Sequence, residues 1–124
     1  MARLFFAIAS ILGALSVAGG AFGAHALKGT LSETALNSFE TGVRYQMYHA
    51  LALLVVALLA KQSPDTSLLA AAGGCFLAGI LLFSGSLYGL SLAGIKALGP
   101  VTPLGGVAFI AGWICLAIAS LKAL

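Results

Sequence analysis

Four long runs of apolar residues, separated by short polar connections, limit the folds that this chain can adopt. The runs cover about residues 4–24, 44–60, 68–92 and 104–121. An α-helix of about 20 apolar residues crosses the hydrocarbon core of a bilayer. We therefore predict an all-α membrane protein, a four-transmembrane-helix bundle, with residues 1–124 forming a single integral membrane domain.

The composition excludes a water-soluble domain. Apolar residues make up 61% of the chain and charged residues 7%, whereas charged residues are about 25% of a typical soluble domain. The net charge is +3, but the basic residues stand singly near the ends of the apolar runs, where they anchor a span at the headgroup level. Scattered charges of this kind do not predict nucleic-acid binding, so the expected partner is the lipid bilayer.

The first apolar run has two interpretations. It follows Arg3 and ends in small residues, as the apolar region of a secretory signal peptide does. The run is about 20 residues long, however, which is long for a signal peptide and suits a membrane span. We therefore predict that residues 4–24 form span one.

The connection between the first two runs is the most polar part of the chain. Residues 30–33 (TLSE) match a capping box, and Leu36, Phe39 and Val43 then recur at helical spacing. This pattern predicts a short amphipathic helix over about residues 32–43, lying in the membrane interface. Glu40 and Arg44 are four residues apart, so the two side chains could form an ion pair on that helix.

Four spans place both chain termini on the same side of the membrane. The basic side chains do not decide which side this is, because three fall on each side. The terminal side has Arg3, Lys61 and Lys122, and the opposite side has Lys28, Arg44 and Lys96. We expect the termini to be cytoplasmic.

Glycines at four-residue spacing predict close helix packing. Lipid provides no hydrophobic drive between helices, so small residues that let two backbones approach become important. These positions could serve an oligomer interface or packing within the chain, and we favour packing within the chain, because a four-span chain must first pack against itself. The predicted packing positions are Gly13, Gly19, Gly20, Gly23, Gly85, Gly89 and Gly112.

Few side chains in the apolar runs offer chemistry. His25 and His49 are the two histidines, and we place both on the same side of the membrane. They could hold a haem iron, pass a proton, or make structural hydrogen bonds. Arg44 could bind an anion or a lipid headgroup, or form a structural pair with Glu40.

Cys75 and Cys115 show no metal-binding spacing, so we predict no metal and no cofactor.

Three strings of residues together resemble a known family. They are residues 19–27 (GGAFGAHAL), residues 44–52 (RYQMYHALA), and residues 83–88 (FSGSLY) followed by 99–106 (GPVTPLGG). The chain is similar along nearly its whole length to bacterial inner-membrane proteins of domain-of-unknown-function family 423, related to transmembrane protein 256. The resemblance implies a multi-pass protein of the bacterial inner membrane with four spans. It implies no activity, since the family is uncharacterised.

The resemblance also directs attention to polar residues inside the matching strings. Most of them would lie towards one membrane face, so a shared polar cluster is our site hypothesis. With Glu40 from the connection, the cluster is His25, Glu40, Arg44, Tyr45, Tyr48, His49, Ser84, Ser86 and Tyr88.

Two functions are compatible with these patterns. The first is a non-enzymatic module of the cell membrane, either a homo-oligomer or an accessory subunit of a larger membrane complex. Trp113 favours it, because a tryptophan near the middle of a span is expected to face another helix or another subunit. The alternative is a small transporter or channel for a proton, an ion or a small solute, using the polar cluster. No acidic residue lies deep in a span, and no nucleophile stands beside a base, so an ion-coupled pump and an enzyme are both disfavoured.

Overall fold

The structure is a computed structural model, and it describes residues 1–123 of the chain. Within these residues, four helical stretches are long and apolar enough to cross a membrane. The predicted four-helix membrane bundle is therefore confirmed. Span one is Ala2–Leu27, span two is Glu33–Gln62, span three is Ser67–Ala93 and span four is Lys96–Lys122.

Two of the spans contain a short π-helical segment, in which the backbone is wound more widely than in an α-helix. Span one is helix α1, Ala2–Phe22, followed by the π segment Gly23–Leu27; span two is helix α2, Glu33–Gln62. Span three is α3, Ser67–Gly79, the π segment Ile80–Ser84, and α4, Gly85–Ala93; span four contains α5, Val101–Ala123.

The amphipathic stretch predicted over residues 32–43 is not a separate helix. It forms the first three turns of α2, which continues unbroken into span two. The cap also differs from the predicted capping box, because the Ser32 hydroxyl accepts the Ala35 N–H at 3.1 Å while Thr30 donates to the Ala26 carbonyl. The apolar side of these turns packs against span one, since Phe39 and Val43 are buried with Leu27. A helix with this tertiary contact has no reason to break between its amphipathic and its apolar parts.

The spans pack in the order of the sequence. Span one lies against span two, span two against span three, and span three against span four, while spans two and four make little direct contact. The main core fills the space that spans two, three and four share. It consists of Ala52, Val56, Ala60, Leu69, Ala72, Phe76, Ile80, Phe109, Leu116 and Ala119.

Glycines set the distances between the packed helices. A β-carbon on Gly19 would lie 3.2 Å from Val43, one on Gly23 would lie 3.1 Å from Phe39, and one on Gly112 would lie 2.7 Å from Phe76. Gly20 and Gly89 also face side chains of the same chain, whereas a β-carbon on Gly13 would have nothing within 4 Å and one on Gly85 would meet only its own helix. Most of the predicted packing glycines therefore lie at contacts within the chain.

Spans three and four approach each other closely at two glycines outside the predicted packing positions. A β-carbon on Gly105 would lie 2.3 Å from the Phe83 backbone nitrogen, and one on Gly79 would lie 2.2 Å from the Phe109 ring. The backbones of the two spans are close together because neither position carries a side chain. This approach places Phe83 and Phe109 side by side, with ring centroids 5.4 Å apart.

Candidate functional site: an aromatic groove around His49

His49 is the central polar residue of the site, and α2 places it in the interior with 4% of its surface exposed. Its Nδ1 atom lies 2.7 Å from the Tyr45 carbonyl oxygen, and its Nε2 atom lies 3.0 Å from Nε1 of Trp113. The indole N–H only donates, so Nε2 accepts. The proton of a neutral ring is then on Nδ1, which donates to the carbonyl. Both ring nitrogens are bonded, and the hydrogen bonds select one tautomer.

Aromatic rings hold the imidazole in this orientation. The Phe109 ring is stacked on it, with centroids 3.5 Å apart and planes 7° from parallel. Phe76 lies on another side, with its centroid at 5.5 Å. Phe109 and Trp113 are one turn apart on α5, so a single helix provides both the stacked ring and the hydrogen-bond donor.

His49, Phe109 and Trp113 also line an open groove of about 550 Å³ between spans two and four. The groove exists because these two spans both pack on span three but barely touch each other. Three of its aromatic side chains are only partly covered, with 37% of Tyr45, 52% of Tyr48 and 46% of Trp113 exposed. We call it the aromatic groove, and its lining is Tyr45, Tyr48, His49, Phe83, Gly106, Phe109, Ile110 and Trp113.

The groove lies near the middle of span four. Trp113 is next to Gly112, the central residue of α5, Val101–Ala123. Tryptophan and tyrosine usually lie at the two membrane interfaces, where the ring is in lipid and the polar group is in water. The indole N–H has no water at this depth and is bonded to His49 instead. The expectation that Trp113 faces another helix is met by this contact, while nearly half of its surface stays free.

A second set of hydrogen bonds joins the first three spans. The Tyr88 hydroxyl donates to Oε1 of Gln46 at 2.6 Å, and Nε2 of Gln46 donates to the Leu12 carbonyl at 2.9 Å. Ser16 also donates to that carbonyl, at 2.8 Å. Gln46 is 6% exposed and is the junction of the network. We did not include it in the predicted cluster, although a glutamine inside an apolar run is itself a signal of a polar contact between helices.

The two buried serines of the predicted cluster bond in different directions from the end of the π segment in span three. The Ser84 hydroxyl is fully buried and donates to the Gly42 carbonyl of span two at 2.7 Å. The Ser86 hydroxyl is hydrogen-bonded to the Thr102 hydroxyl of span four. Span three is therefore hydrogen-bonded through its serine side chains to both span two and span four.

The predicted cluster does not form one site. Gly23 faces Phe39, and His49 lies ten residues beyond Phe39 on α2, a rise of about 15 Å at 1.5 Å per residue. His25 is exposed at the end of span one and does not meet His49. The Arg44 guanidinium donates to the Thr41 hydroxyl at 3.2 Å, not to Glu40. Only Tyr45, Tyr48 and His49 of the predicted cluster line the aromatic groove.

The polar turn at the terminal end of the bundle is organised by Asp65. Its carboxylate accepts hydrogen bonds from the Ser67 backbone N–H at 3.0 Å and the Ser67 hydroxyl at 2.8 Å. Both bonds stabilise the charged form, and they lower the pKa of Asp65 below its usual value. The residues capable of binding metal do not converge, since no three His, Cys, Asp or Glu side chains come together within residues 1–123.

Comparison with known proteins decides the family. The profile of a family described as "Protein of unknown function (DUF423)" matches residues 19–106, well over half of the chain. The chain belongs to DUF423. The resemblance found in its sequence motifs is thereby confirmed. The DUF423 match includes Tyr45, His49 and Phe83 of the aromatic groove and ends before Phe109 and Trp113.

Relatives of this DUF423 protein are similar along their whole length. The UPF0382 membrane protein YwdK of Bacillus subtilis is 48% identical over 97% of this chain and 98% of its own. A UPF0382 membrane protein of Staphylococcus aureus is 47% identical, and one of Staphylococcus epidermidis is 45% identical, each over 97% of both chains. No solved structure matches the chain. The protein is a multi-pass membrane protein of an uncharacterised family.

Proposed function

We propose that this protein is a non-enzymatic module of the bacterial cell membrane that binds a transmembrane helix, from a second copy or from a larger complex, in the aromatic groove. The observation that carries the proposal is the state of Trp113. Its indole is oriented by the hydrogen bond to His49, yet 46% of its surface is exposed near mid-span. Tryptophan and tyrosine carry much of the binding energy at protein interfaces, and rigid side chains lose little entropy on binding.

The hydrogen bonds of the interior support a structural role for the polar residues. Within residues 1–123, no buried side-chain nitrogen or oxygen is without a hydrogen-bond partner. A proton or ion carrier needs a polar group that can release one partner and take another. His49 would have to break a contact with Trp113 or Tyr45 to do so. The transporter alternative therefore receives less support from this geometry than the binding module.

The orientation that we propose has both termini in the cytoplasm. The terminal end of the bundle carries Arg3, Lys61 and Lys122 with Asp65, while the opposite end combines its basic residues with Glu33 and Glu40. Acidic side chains contribute little to orientation, and the basic side chains are balanced at three on each side, so the orientation is a proposal that these charges do not decide.

The test is the mass of the particle extracted from native membranes with its surrounding lipid. We expect the wild-type chain to be in a dimer, a higher oligomer or a complex with another membrane protein. Tyr48→Leu and Trp113→Leu should each weaken that association about fivefold or more, the effect of losing one residue that contributes over 1 kcal/mol. Tyr48→Leu is the cleaner of the two, since Trp113→Leu also removes the bond to His49.

The matched control is Phe22→Leu. Phe22 is also about half exposed, at 52%, but it lies at the end of α1 and outside the groove. Association should be unchanged in this variant. A wild-type chain found as a monomer without partners would overturn the proposal, and so would equal weakening by Phe22→Leu and Tyr48→Leu.

A further inference from the structure

A second open groove lies at the terminal end of the bundle, between spans one and two. Its volume is about 570 Å³. Phe6 and Leu58 form its apolar walls, and the small side chains of Ala2 and Ala57 leave space between them. Arg3 and Lys61 stand at its outer end. The groove is distinct from the aromatic groove and shares no residue with it.

The two cations come together because spans one and two are antiparallel. Arg3 is in the first turn of α1 and Lys61 is in the last turn of α2, so both lie where the bundle meets the headgroup region. Phe6 and Leu58 lie about one turn deeper, some 5 Å towards the membrane centre. The groove is therefore positively charged at headgroup depth and apolar at acyl-chain depth.

No acidic side chain in the part of the chain that the structure describes neutralises this pair. The chain has three acidic residues, and Glu33 and Glu40 are at the opposite end, near the start of α2. Asp65 lines a different groove, where its carboxylate interacts with Lys122. Among residues 1–123, Arg3 and Lys61 thus have no acidic side chain as a partner, and they present two positive charges above an apolar cleft.

We propose that this groove binds one acidic phospholipid. The phosphate is held between Arg3 and Lys61, and an acyl chain lies against Phe6 and Leu58. Arginine suits this role because its planar guanidinium donates two parallel hydrogen bonds to phosphate oxygens. A zwitterionic lipid gains less here, because its own cationic group is repelled by the same pair. The cleft is also short for a helix, since its lining covers only about two turns of each span.

The experiment is native mass spectrometry of the full-length chain titrated with phosphatidylglycerol or phosphatidylcholine in mild detergent. We expect one phosphatidylglycerol to stay bound under conditions that remove phosphatidylcholine. Arg3→Gln and Lys61→Gln should each weaken its retention about fivefold, and the double variant more than either, because a basic side chain at an acidic membrane surface contributes about that factor. Far-ultraviolet circular dichroism checks that each variant keeps its helices.

Lys122→Gln is the matched control for charge. This substitution removes one positive charge from the same end of the bundle, but Lys122 lines the groove of Asp65 and not the groove of Arg3 and Lys61. Retention of phosphatidylglycerol should be unchanged. An equal loss in Lys122→Gln and Lys61→Gln would mean diffuse attraction to the surface and would overturn the site, as would equal affinity for both lipids.

Leu58→Trp tests the apolar part without changing charge, because it fills the cleft below the cations. We expect lipid retention to fall and the particle mass to stay the same. Unchanged retention would overturn the acyl-chain contact, and a change in particle mass would show that a second protein occupies the groove. Glycerophosphate, which has the headgroup without acyl chains, should not displace the lipid. Displacement by glycerophosphate would assign the site to a soluble phosphate.

Discussion

Single polar side chains in this protein act as connections between helices. Gln46 receives the Tyr88 hydroxyl from span three and donates to the Leu12 carbonyl of span one. Ser84 reaches the Gly42 carbonyl, and Trp113 reaches His49. In lipid, no water is present to form a hydrogen bond with an unpaired polar group. These contacts therefore favour the one arrangement of the helices in which each group has a partner.

At the residue scale we predict that Tyr88 and Gln46 are energetically coupled. Tyr88→Phe leaves the Gln46 carbonyl oxygen without its donor, so the free energy of unfolding should fall by about 0.5–2 kcal/mol. Gln46→Leu removes the junction, and Tyr88→Phe in that background should then cost little. Reversible unfolding in mixed micelles, with all four chains of the double-mutant cycle, measures the coupling.

Ser10→Ala is the control for this cycle. The Ser10 hydroxyl is exposed and bonds only to the Phe6 carbonyl of its own helix. Its removal should leave the free energy of unfolding nearly unchanged. If Tyr88→Phe cost the same with and without Gln46, the hydrogen bond between them would not contribute to stability.

At the scale of the helix, the two sides of a span differ in how much space they leave. Span three shows this within one helix. Gly79 faces the Phe109 ring at a distance that leaves no room for a methyl group, whereas a β-carbon on Gly74 would have nothing within 4 Å. Position 79, which faces span four, is therefore restricted to glycine, whereas position 74 is not.

We predict that Gly79→Ala destabilises the protein and Gly74→Ala does not. An added methyl at Gly79 would force the Phe109 ring to move, at a cost of about 1–3 kcal/mol. Gly74→Ala should be neutral or stabilising by up to about 1 kcal/mol, because alanine favours a helix. Thermal unfolding in detergent compares the two variants. Equal changes in stability for the two variants would contradict a close contact between Gly79 and the Phe109 ring.

Gly79→Ala should also change the aromatic groove. Phe109 is the ring stacked on His49, and His49 holds the only tryptophan of the chain. Displacement of Phe109 should therefore shift the tryptophan emission, while Gly74→Ala leaves the spectrum as it is.

At the scale of the whole molecule, the packing order of the spans determines where binding surfaces form. Spans two and four both pack on span three and leave the aromatic groove between them. Span one packs mainly on span two, and the cleft with Arg3 and Lys61 lies along that contact. The two grooves differ in position along the spans and in chemistry, since one is aromatic and near mid-span and the other is cationic at the terminal end.

The helical order predicts that the connections alternate between the two membrane faces. Cysteines introduced as Gly29→Cys and Ser63→Cys, in a background of Cys75→Ala and Cys115→Ala, should react with an impermeant maleimide from opposite sides. Gly29 follows span one and Ser63 follows span two. Labelling of both positions from the same side of intact cells would contradict the four-span arrangement.

The sequence by itself determined that the chain lies in a lipid bilayer, that it has four spans, and that small residues allow its helices to pack closely. These follow from hydropathy, run length and glycine spacing, which are local quantities. The expectation of a contact for Trp113 was of the same kind, because it depended on position along the span alone. The family, too, was indicated by the motifs.

Only the tertiary structure decided which side chains meet. Position along the sequence groups His25 with His49, although span one ends far along α2 from His49. The change from amphipathic to apolar sequence separates residues 32–43 from span two, because hydropathy does not contain the contact of Phe39 and Val43 with span one. Partners between helices depend on how each helix is rotated and how far it slides along its neighbour. Hydropathy does not contain these quantities, and in this protein glycine contacts and polar bonds between spans set them.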